Sequence, residues 1–169
     1  LYLCCVAGYA GQQTLAEYDW GKLADAGQSL GGKPATVDGR LALKLSSTND
    51  TPLQVQLLNI KQPPISKTVY AITGEICYDG VRGDGYLEMW NCYPPSKPGE
   101  KEGRYFSRTL GESGPMGRIR GTSSWRAFTL PFDRTGTTAT PARLEINMFL
   151  PAQGTVYVGP LKLVEYAGS

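Results

Sequence analysis

The feature that most constrains the fold is an alternation of apolar and polar residues in short runs, which glycine and proline separate. The run from Val69 to Tyr78 is the clearest case, because Tyr70, Ile72 and Ile76 share one face of a strand there. Glycine and proline supply 21 and 12 of the 169 residues, and much of this surplus falls between the runs. The pattern favours β-strands joined by turns.

The whole chain is predicted to form one all-β domain, an antiparallel β-sandwich (jelly roll) of about ten strands. The only helical pattern spans residues 14–27, where Gly21 and Gly27 interrupt it. Residues 79–85 are predicted to be a glycine-rich hairpin loop, and residues 94–103 and 111–124 are predicted to be exposed loops. The predicted strands are 41–46, 53–60, 69–78, 86–93, 104–110, 125–132, 143–150, 155–158 and 161–166.

Residues 1–13 form an apolar N-terminal segment, which precedes the predicted sandwich domain at residues 14–169. Gly8-Tyr9-Ala10 fits the small-x-small end of a signal peptide, but the segment also fits the end of a membrane helix or an ordinary apolar strand. We expect a parent protein that is exported or membrane-tethered, located in the cell envelope, the periplasm or the extracellular space.

The chain contains no histidine, which excludes Ser-His-Asp and Cys-His nucleophile systems and histidine-ligated zinc. Its 17 basic and 15 acidic side chains leave a net charge of +2, which does not indicate a nucleic-acid partner. The four cysteines lack a C-x-x-C spacing, and the sequence does not choose among their pairings. We expect free or packed thiols at Cys4, Cys5, Cys77 and Cys92.

The region between residues 66 and 165 carries a series of recognisable strand motifs. These are Tyr70–Ile76, Gly85–Met89, Ser123–Phe132, Leu144–Leu150 and Gly154–Glu165. Their order resembles the galactose-binding-like β-sandwich (jelly-roll) superfamily, which includes carbohydrate-binding modules, and is most similar to uncharacterised bacterial envelope domains.

The resemblance implies a ligand surface on the concave sheet and allows for a structural calcium ion, for which Asp79 and Asp84 are candidates. No other cofactor is expected. Many relatives carry an aspartate just after the Val-Tyr-Val strand, whereas this chain has Gly159-Pro160, so that contact is not carried over.

Alternation predicts a polar face that combines carboxylate, amide, guanidinium and aromatic side chains from several strands. An aromatic ring packs on the C–H face of a sugar, and the polar groups bond its hydroxyls. The candidate carbohydrate-binding residues are Thr73, Glu75, Glu88, Trp90, Arg108 and Asn147.

Two other interpretations of these residues are open. Glu75, Glu88 and Arg108 can form a structural ion-pair network that joins strands, with Trp90 covered by a loop. Glu75 and Glu88, if they lie on neighbouring strands, can also meet the carboxyl separations of about 5–9.5 Å that glycosidases use.

Five arginines and one acid lie between Arg104 and Arg126. Guanidinium groups bind carboxylate, sulfate or phosphate, so this segment is compatible with an acidic polysaccharide. The alternative, which we favour, is that the arginines pair with Glu75, Glu88 and Glu145.

The sequence therefore predicts a non-catalytic accessory domain that binds a polysaccharide or oligosaccharide. The first alternative is a structural or protein–protein interaction domain without a small ligand, and the second is a carboxylate-based glycoside-active enzyme. The ligand identity and the oligomeric state stay open.

Overall fold

The computed structural model of the protein describes residues 11–167, which form ten β-strands and one short α-helix. In chain order the elements are β1 (Gln12–Tyr18), α1 (Trp20–Asp25), β2 (Lys33–Val37), β3 (Arg40–Ser47), β4 (Leu53–Lys61), β5 (Val69–Tyr93), β6 (Gly103–Arg108), β7 (Ile119–Asp133), β8 (Arg143–Leu150), β9 (Gly154–Val158) and β10 (Leu161–Tyr166).

The strands form two sheets in which the paired strands are antiparallel. Sheet A runs β1-β10-β5-β9-β3-β2, with β7 on the other side of β5. Sheet B has the order β4-β8-β5-β6. The predicted all-β antiparallel β-sandwich is confirmed.

Strand β5 is 25 residues long and belongs to both sheets. Its first part, up to Asp79, pairs with β10, β9 and β7 in sheet A. Its last part, from Tyr86 to Tyr93, pairs with β8 and β6 in sheet B. The predicted hairpin at residues 79–85 is therefore wrong, because the chain continues forward from one sheet into the other instead of turning back.

Glycines let β5 and β7 change register where they cross between the sheets. The pairing shifts between Tyr78 and Val81 and again between Val81 and Gly85. Gly83 has a φ of 73°, and a Cβ there would lie 2.9 Å from the Pro151 side chain. A glycine-rich segment thus supplies bulges within a strand rather than a turn between two strands.

The core lies between the sheets and follows the alternation in the sequence. Apolar side chains at alternate positions of β5 and β8 are buried there, including Tyr70, Ile72 and Ile76, for which the alternation predicted a common face. Others are Leu87, Met89, Leu144, Ile146 and Met148.

The N-terminal part of the described chain differs from the prediction. Residues 14–18 of the predicted helical segment lie in strand β1, and the helix spans only Trp20–Asp25. It begins there because the Asp19 side chain accepts a hydrogen bond from the Lys22 N–H and caps the helix. Strand β1 starts at Gln12, so it includes the last two residues of the segment 1–13 that the sequence analysis set apart. Residues 1–10 of that segment lie outside the described residues. Strand β7 starts at Ile119, five residues before the predicted loop ends.

Within residues 11–167, no helix has the length and hydropathy needed to cross a membrane. Cys77 and Cys92 carry free, buried thiols. Burial raises the pKa of both thiols, which keeps them protonated at neutral pH. Cys4 and Cys5 lie outside the described residues.

Helix α1 is fixed to sheet A by the indole of Trp20, which is fully buried. Its Nε1 donates to the carbonyl oxygens of Val158 and Gly159 at 2.9 and 3.0 Å. A buried donor that lacked such partners would cost free energy, so these bonds allow a polar atom to lie inside the core.

A buried carboxylate on β10 holds the segment that leads into β5. Glu165 accepts hydrogen bonds from the backbone N–H groups of Ser66 and Lys67 and from the Ser66 hydroxyl, at 2.9, 3.0 and 3.0 Å. Burial alone would raise the pKa of Glu165, but these bonds favour the charged form and hold the pKa below its ordinary value.

Replacement of Trp20 by phenylalanine is expected to lower the free energy of unfolding by about 1–3 kcal/mol, because the buried indole hydrogen bonds are lost. Trp125→Phe is the matched control, since Trp125 Nε1 has no hydrogen-bond partner in the described part of the chain. Urea denaturation measures both. Equal losses in the two variants would contradict the role given to the Trp20 indole.

Glu165 is expected to make stability depend on acid. Because its native pKa lies below the ordinary value of 4.5, its contribution is fully present above that value and is lost as the pH falls through the native pKa. Urea denaturation measures the free energy of unfolding between about pH 6 and about pH 3. This free energy is expected to fall less steeply with decreasing pH in Glu165→Gln than in the wild type. Glu17→Gln, at an exposed pair with Lys162, is the control and should keep the wild-type slope.

Candidate functional site

The outward side chains of sheet B form a continuous mixed surface, which we call the B face. Cross-strand pairing aligns its rows: Glu88 lies opposite both Arg108 and Asn147, and Trp90 lies opposite both Phe106 and Glu145. The B face comprises Gln54, Gln56, Asn59, Lys61, Tyr86, Glu88, Trp90, Cys92, Arg104, Phe106, Arg108, Arg143, Glu145, Asn147 and Phe149.

Glu88 lies at the centre of the B face and is only 2% exposed. One carboxylate oxygen accepts hydrogen bonds at 3.2, 3.0 and 3.0 Å from the side chains of Gln54, Trp90 and Asn147. The other accepts from Arg108 Nε at 2.8 Å. The four donors come one from each strand of sheet B, so a single buried charge fixes side chains across the whole sheet.

Arginine and aromatic side chains form the layer above Glu88. The Arg108 guanidinium lies 4.0 Å from the ring centre of Phe106 and 5.2 Å from that of Tyr86. Arg104 lies 4.9 Å from the ring centre of Trp90. Phe106 is 52% exposed, which leaves a large apolar surface beside charged donors.

An ion-pair cluster closes one end of the B face. Arg143 binds both carboxylate oxygens of Glu102 at 2.7 Å and reaches Glu145 at 3.2 Å. Arg104 also binds Glu145, at 3.2 Å. The bond from Arg143 lowers the pKa of Glu102, so this carboxyl stays charged at neutral pH.

Four of the six predicted binding residues come together on the B face, and two do not. Glu88, Trp90, Arg108 and Asn147 are joined through the Glu88 carboxylate. Thr73 lies in sheet A, paired with Lys162 and Thr129. The grouping of all six residues on one face was wrong, because β5 leaves sheet A before it reaches Glu88.

Glu75 also lies in sheet A, where its exposed carboxylate pairs with Arg40. The guanidinium of Arg40 in turn lies 5.1 Å from the ring centre of Trp125. Glu75 and Glu88 are on the same strand and in different sheets, so the condition for that alternative, that they lie on neighbouring strands, is not met. They do not form the pair of carboxylates that a glycosidase needs.

Two of the B-face residues that the sequence prediction did not include, Phe106 and Gln54, contribute directly to the site. Phe106 was detectable, since alternation in the predicted strand at residues 104–110 places it between Arg104 and Arg108 on one side. Gln54 was not detectable, because it reaches Glu88 only through the pairing of β4 with β8. That pairing joins distant parts of the chain and has no local signal.

The arginine-rich segment does not form one anion site, because its members are distributed over both sheets. Arg104 and Arg108 pair with Glu145 and Glu88, as the favoured interpretation expected. Arg118 instead binds Glu112 at 2.8 Å and Asp84 at 3.1 Å. The Arg120 guanidinium lies 3.6 Å from the Asp84 carboxylate. Arg126 donates hydrogen bonds to the Tyr78 hydroxyl and to backbone carbonyl oxygens.

The two aspartates considered for calcium have protein partners. Asp84 pairs with Arg118 and Arg120, and Asp79 accepts a hydrogen bond from Thr122. Among residues 11–167, no three or more Cys, Asp or Glu side chains are grouped as a metal site.

Comparison with known proteins gives similarity to solved structures but none to a protein family or a curated sequence. Among solved structures, the chain is similar to a carbohydrate-binding module, CBM28, described as specific for non-crystalline cellulose. The two are 14% identical, the match covers 80% of this chain and 79% of that chain, and the TM-score is 0.38. This similarity assigns no residue of the B face, and the resemblance to the galactose-binding-like superfamily stays a prediction.

Glu88→Gln is expected to lower the free energy of unfolding by about 1.5–3 kcal/mol, because it removes a buried charge that accepts four hydrogen bonds. Glu75→Gln is the matched control on the same strand and should cost less than about 1 kcal/mol, since its pair with Arg40 is exposed. Urea denaturation measures both variants. A loss for Glu88→Gln no larger than that for Glu75→Gln would contradict the central position of Glu88.

Proposed function

We propose that the chain is a non-catalytic accessory domain that binds an oligosaccharide or polysaccharide across the B face. The observation that carries the proposal is the Glu88 carboxylate, which holds an indole, a guanidinium and two amides in place beside the exposed Phe106 ring. Side chains that are already fixed lose little conformational entropy when a ligand binds.

The chemistry of the B face matches the two kinds of surface that a sugar presents. The apolar C–H face of a pyranose packs on an aromatic ring, for which Phe106 and Trp90 provide surface. The hydroxyl groups accept from donors, which the partly exposed guanidiniums of Arg104 and Arg108 supply. Glu88 acts as a positioning residue in this proposal, because protein donors already occupy both of its oxygens.

The same arrangement supports binding over hydrolysis. A general acid or base must reach the substrate with a free carboxyl oxygen. Glu88 is buried, and Glu145 is held by Arg104 and Arg143. We therefore assign no catalytic role to either carboxylate. The proposal includes an exported parent protein, in the cell envelope, the periplasm or the extracellular space, where the domain would meet polysaccharides.

Phe106→Ala is expected to weaken polysaccharide binding about tenfold, which corresponds to a loss of about 1.4 kcal/mol. Affinity electrophoresis in gels that contain soluble neutral or uronic-acid polysaccharides, followed by calorimetry on those that retard the protein, measures this effect. Leu110→Ala is the matched control, since Leu110 is another exposed apolar side chain outside the B face.

Two outcomes would contradict the proposal. The first is that no polysaccharide retards the wild-type protein, which would favour the structural or protein–protein interaction domain. The second is that Phe106→Ala and Leu110→Ala bind equally well. Reducing-sugar release by the wild type that Glu88→Gln abolishes would instead favour the glycoside-active enzyme.

A further inference from the structure

A pocket of about 700 Å³ lies at the end of the sandwich, on the other side of β6 from the B face. We call it the Tyr105 pocket. Its aromatic wall consists of Tyr93, Tyr105 and Phe132, and the loops at residues 94–101 and 133–139 form its rim. Its volume lies in the range of small-molecule sites, about 300–1,000 Å³.

The ring of Tyr105 is the accessible part of this wall. It is 56% exposed, and its ring centre lies 6.0 Å from that of Tyr93 and 6.3 Å from that of Phe132. The backbone beneath it is fixed, because Asn91 donates to the carbonyl oxygen of Tyr105 at 3.2 Å. The Tyr70 hydroxyl in turn donates to Asn91 at 2.5 Å, so a buried hydrogen-bond chain supports the floor.

The rim of the pocket is held by a second set of hydrogen bonds. Arg134 donates to the carbonyl oxygens of Ser66 and Lys67 at 3.0 and 2.9 Å and to those of Thr137 and Ala139 at 3.4 and 3.2 Å. Because Glu165 fixes the same Ser66–Lys67 segment, the loop that carries Asp133 is tied to the sheet. The pocket is therefore formed before any ligand enters.

Three polar groups at the pocket have no protein partner within residues 11–167: the Lys101 ammonium, the Tyr105 hydroxyl and one oxygen of Asp133. The other Asp133 oxygen accepts from the N–H and hydroxyl of Thr135. These bonds lower the pKa of Asp133, so its free oxygen is charged at neutral pH. A charged acceptor and a charged donor thus line the same pocket as the accessible tyrosine ring and its hydroxyl.

We infer that the Tyr105 pocket binds a single sugar unit, separately from the B face. A pyranose combines an apolar face, which packs on Tyr105, with neighbouring hydroxyls, which donate to Asp133 and accept from Lys101. Loops bound the pocket at its rim, whereas the B face is open along several strands, so the pocket suits a free sugar or the end of a chain rather than its middle. The occupant of the pocket is therefore one sugar unit, such as a free or chain-terminal residue.

The strand β6 supplies a matched pair of variants for the test. Tyr105 and Phe106 are adjacent, similarly exposed and on opposite sides of the strand, since they align with Asn91 and Trp90 respectively. The probes are methyl glycosides of common pyranoses, titrated into the ¹⁵N-labelled chain. We expect saturable shifts of the amides of Tyr105, Thr135 and Gly136 with at least one of these probes.

Tyr105→Ala is expected to weaken this binding about tenfold or more, whereas Phe106→Ala should leave it unchanged. Asp133→Asn is a second variant that keeps the shape of an exposed side chain, and it should weaken binding in the same direction. The inference is overturned if no methyl glycoside shifts the three amides, or if Tyr105→Ala and Asp133→Asn bind as the wild type does.

The test separates this inference from the proposed function of the B face. If Phe106→Ala loses polysaccharide binding and Tyr105→Ala has no effect with any probe, the proposal for the B face stands and the inference about the Tyr105 pocket is wrong. Methyl glycoside binding that Tyr105→Ala removes, in a chain that no polysaccharide retards, would retain the pocket and overturn the B face.

Discussion

Strand β5 lies in both sheets, and its path determines which side chains share a surface. Its first part pairs within sheet A and its last part within sheet B. Thr73 and Glu75 lie in sheet A, whereas Glu88 lies in sheet B, because β5 crosses from one sheet to the other between them. The B face around Glu88 therefore combines the last part of β5 with β6, which follows it, and with β4 and β8, which come from distant parts of the chain.

Local alternation predicted most strands and their buried faces, because this signal depends only on neighbouring residues. It indicated the common face of Tyr70, Ile72 and Ile76, all of which are buried. It failed at residues 79–85, where glycines suit both a hairpin turn and a strand with bulges. The choice between the two depends on the pairing of β7 with both parts of β5, which is a long-range property.

The candidate site shows the same division between local and long-range information. The residue types at Glu88, Trp90, Arg108 and Asn147 were recognisable in the sequence, and the four residues lie on three neighbouring strands, β6, β5 and β8. Their common contact with one carboxylate was not recognisable, because it requires the register of β5 against both β6 and β8. Register also determines that both oxygens of Glu88 accept from protein donors, so the proposed function assigns Glu88 to positioning and not to ligand contact.

The structural and the binding interpretations of the Glu88 network are compatible rather than opposed. A buried carboxylate is costly unless donors surround it, so the network must be complete for the sheet to be stable. The same hydrogen bonds hold the Trp90 indole and the Arg108 guanidinium in place. Stability therefore supplies the preorganisation that a binding surface needs, at Glu88 for the B face and at Arg134 and Glu165 for the Tyr105 pocket. Since β6 directs Phe106 to one surface and Tyr105 to the other, the alternation of a single edge strand contributes an exposed aromatic ring to each of the two surfaces proposed to bind sugars.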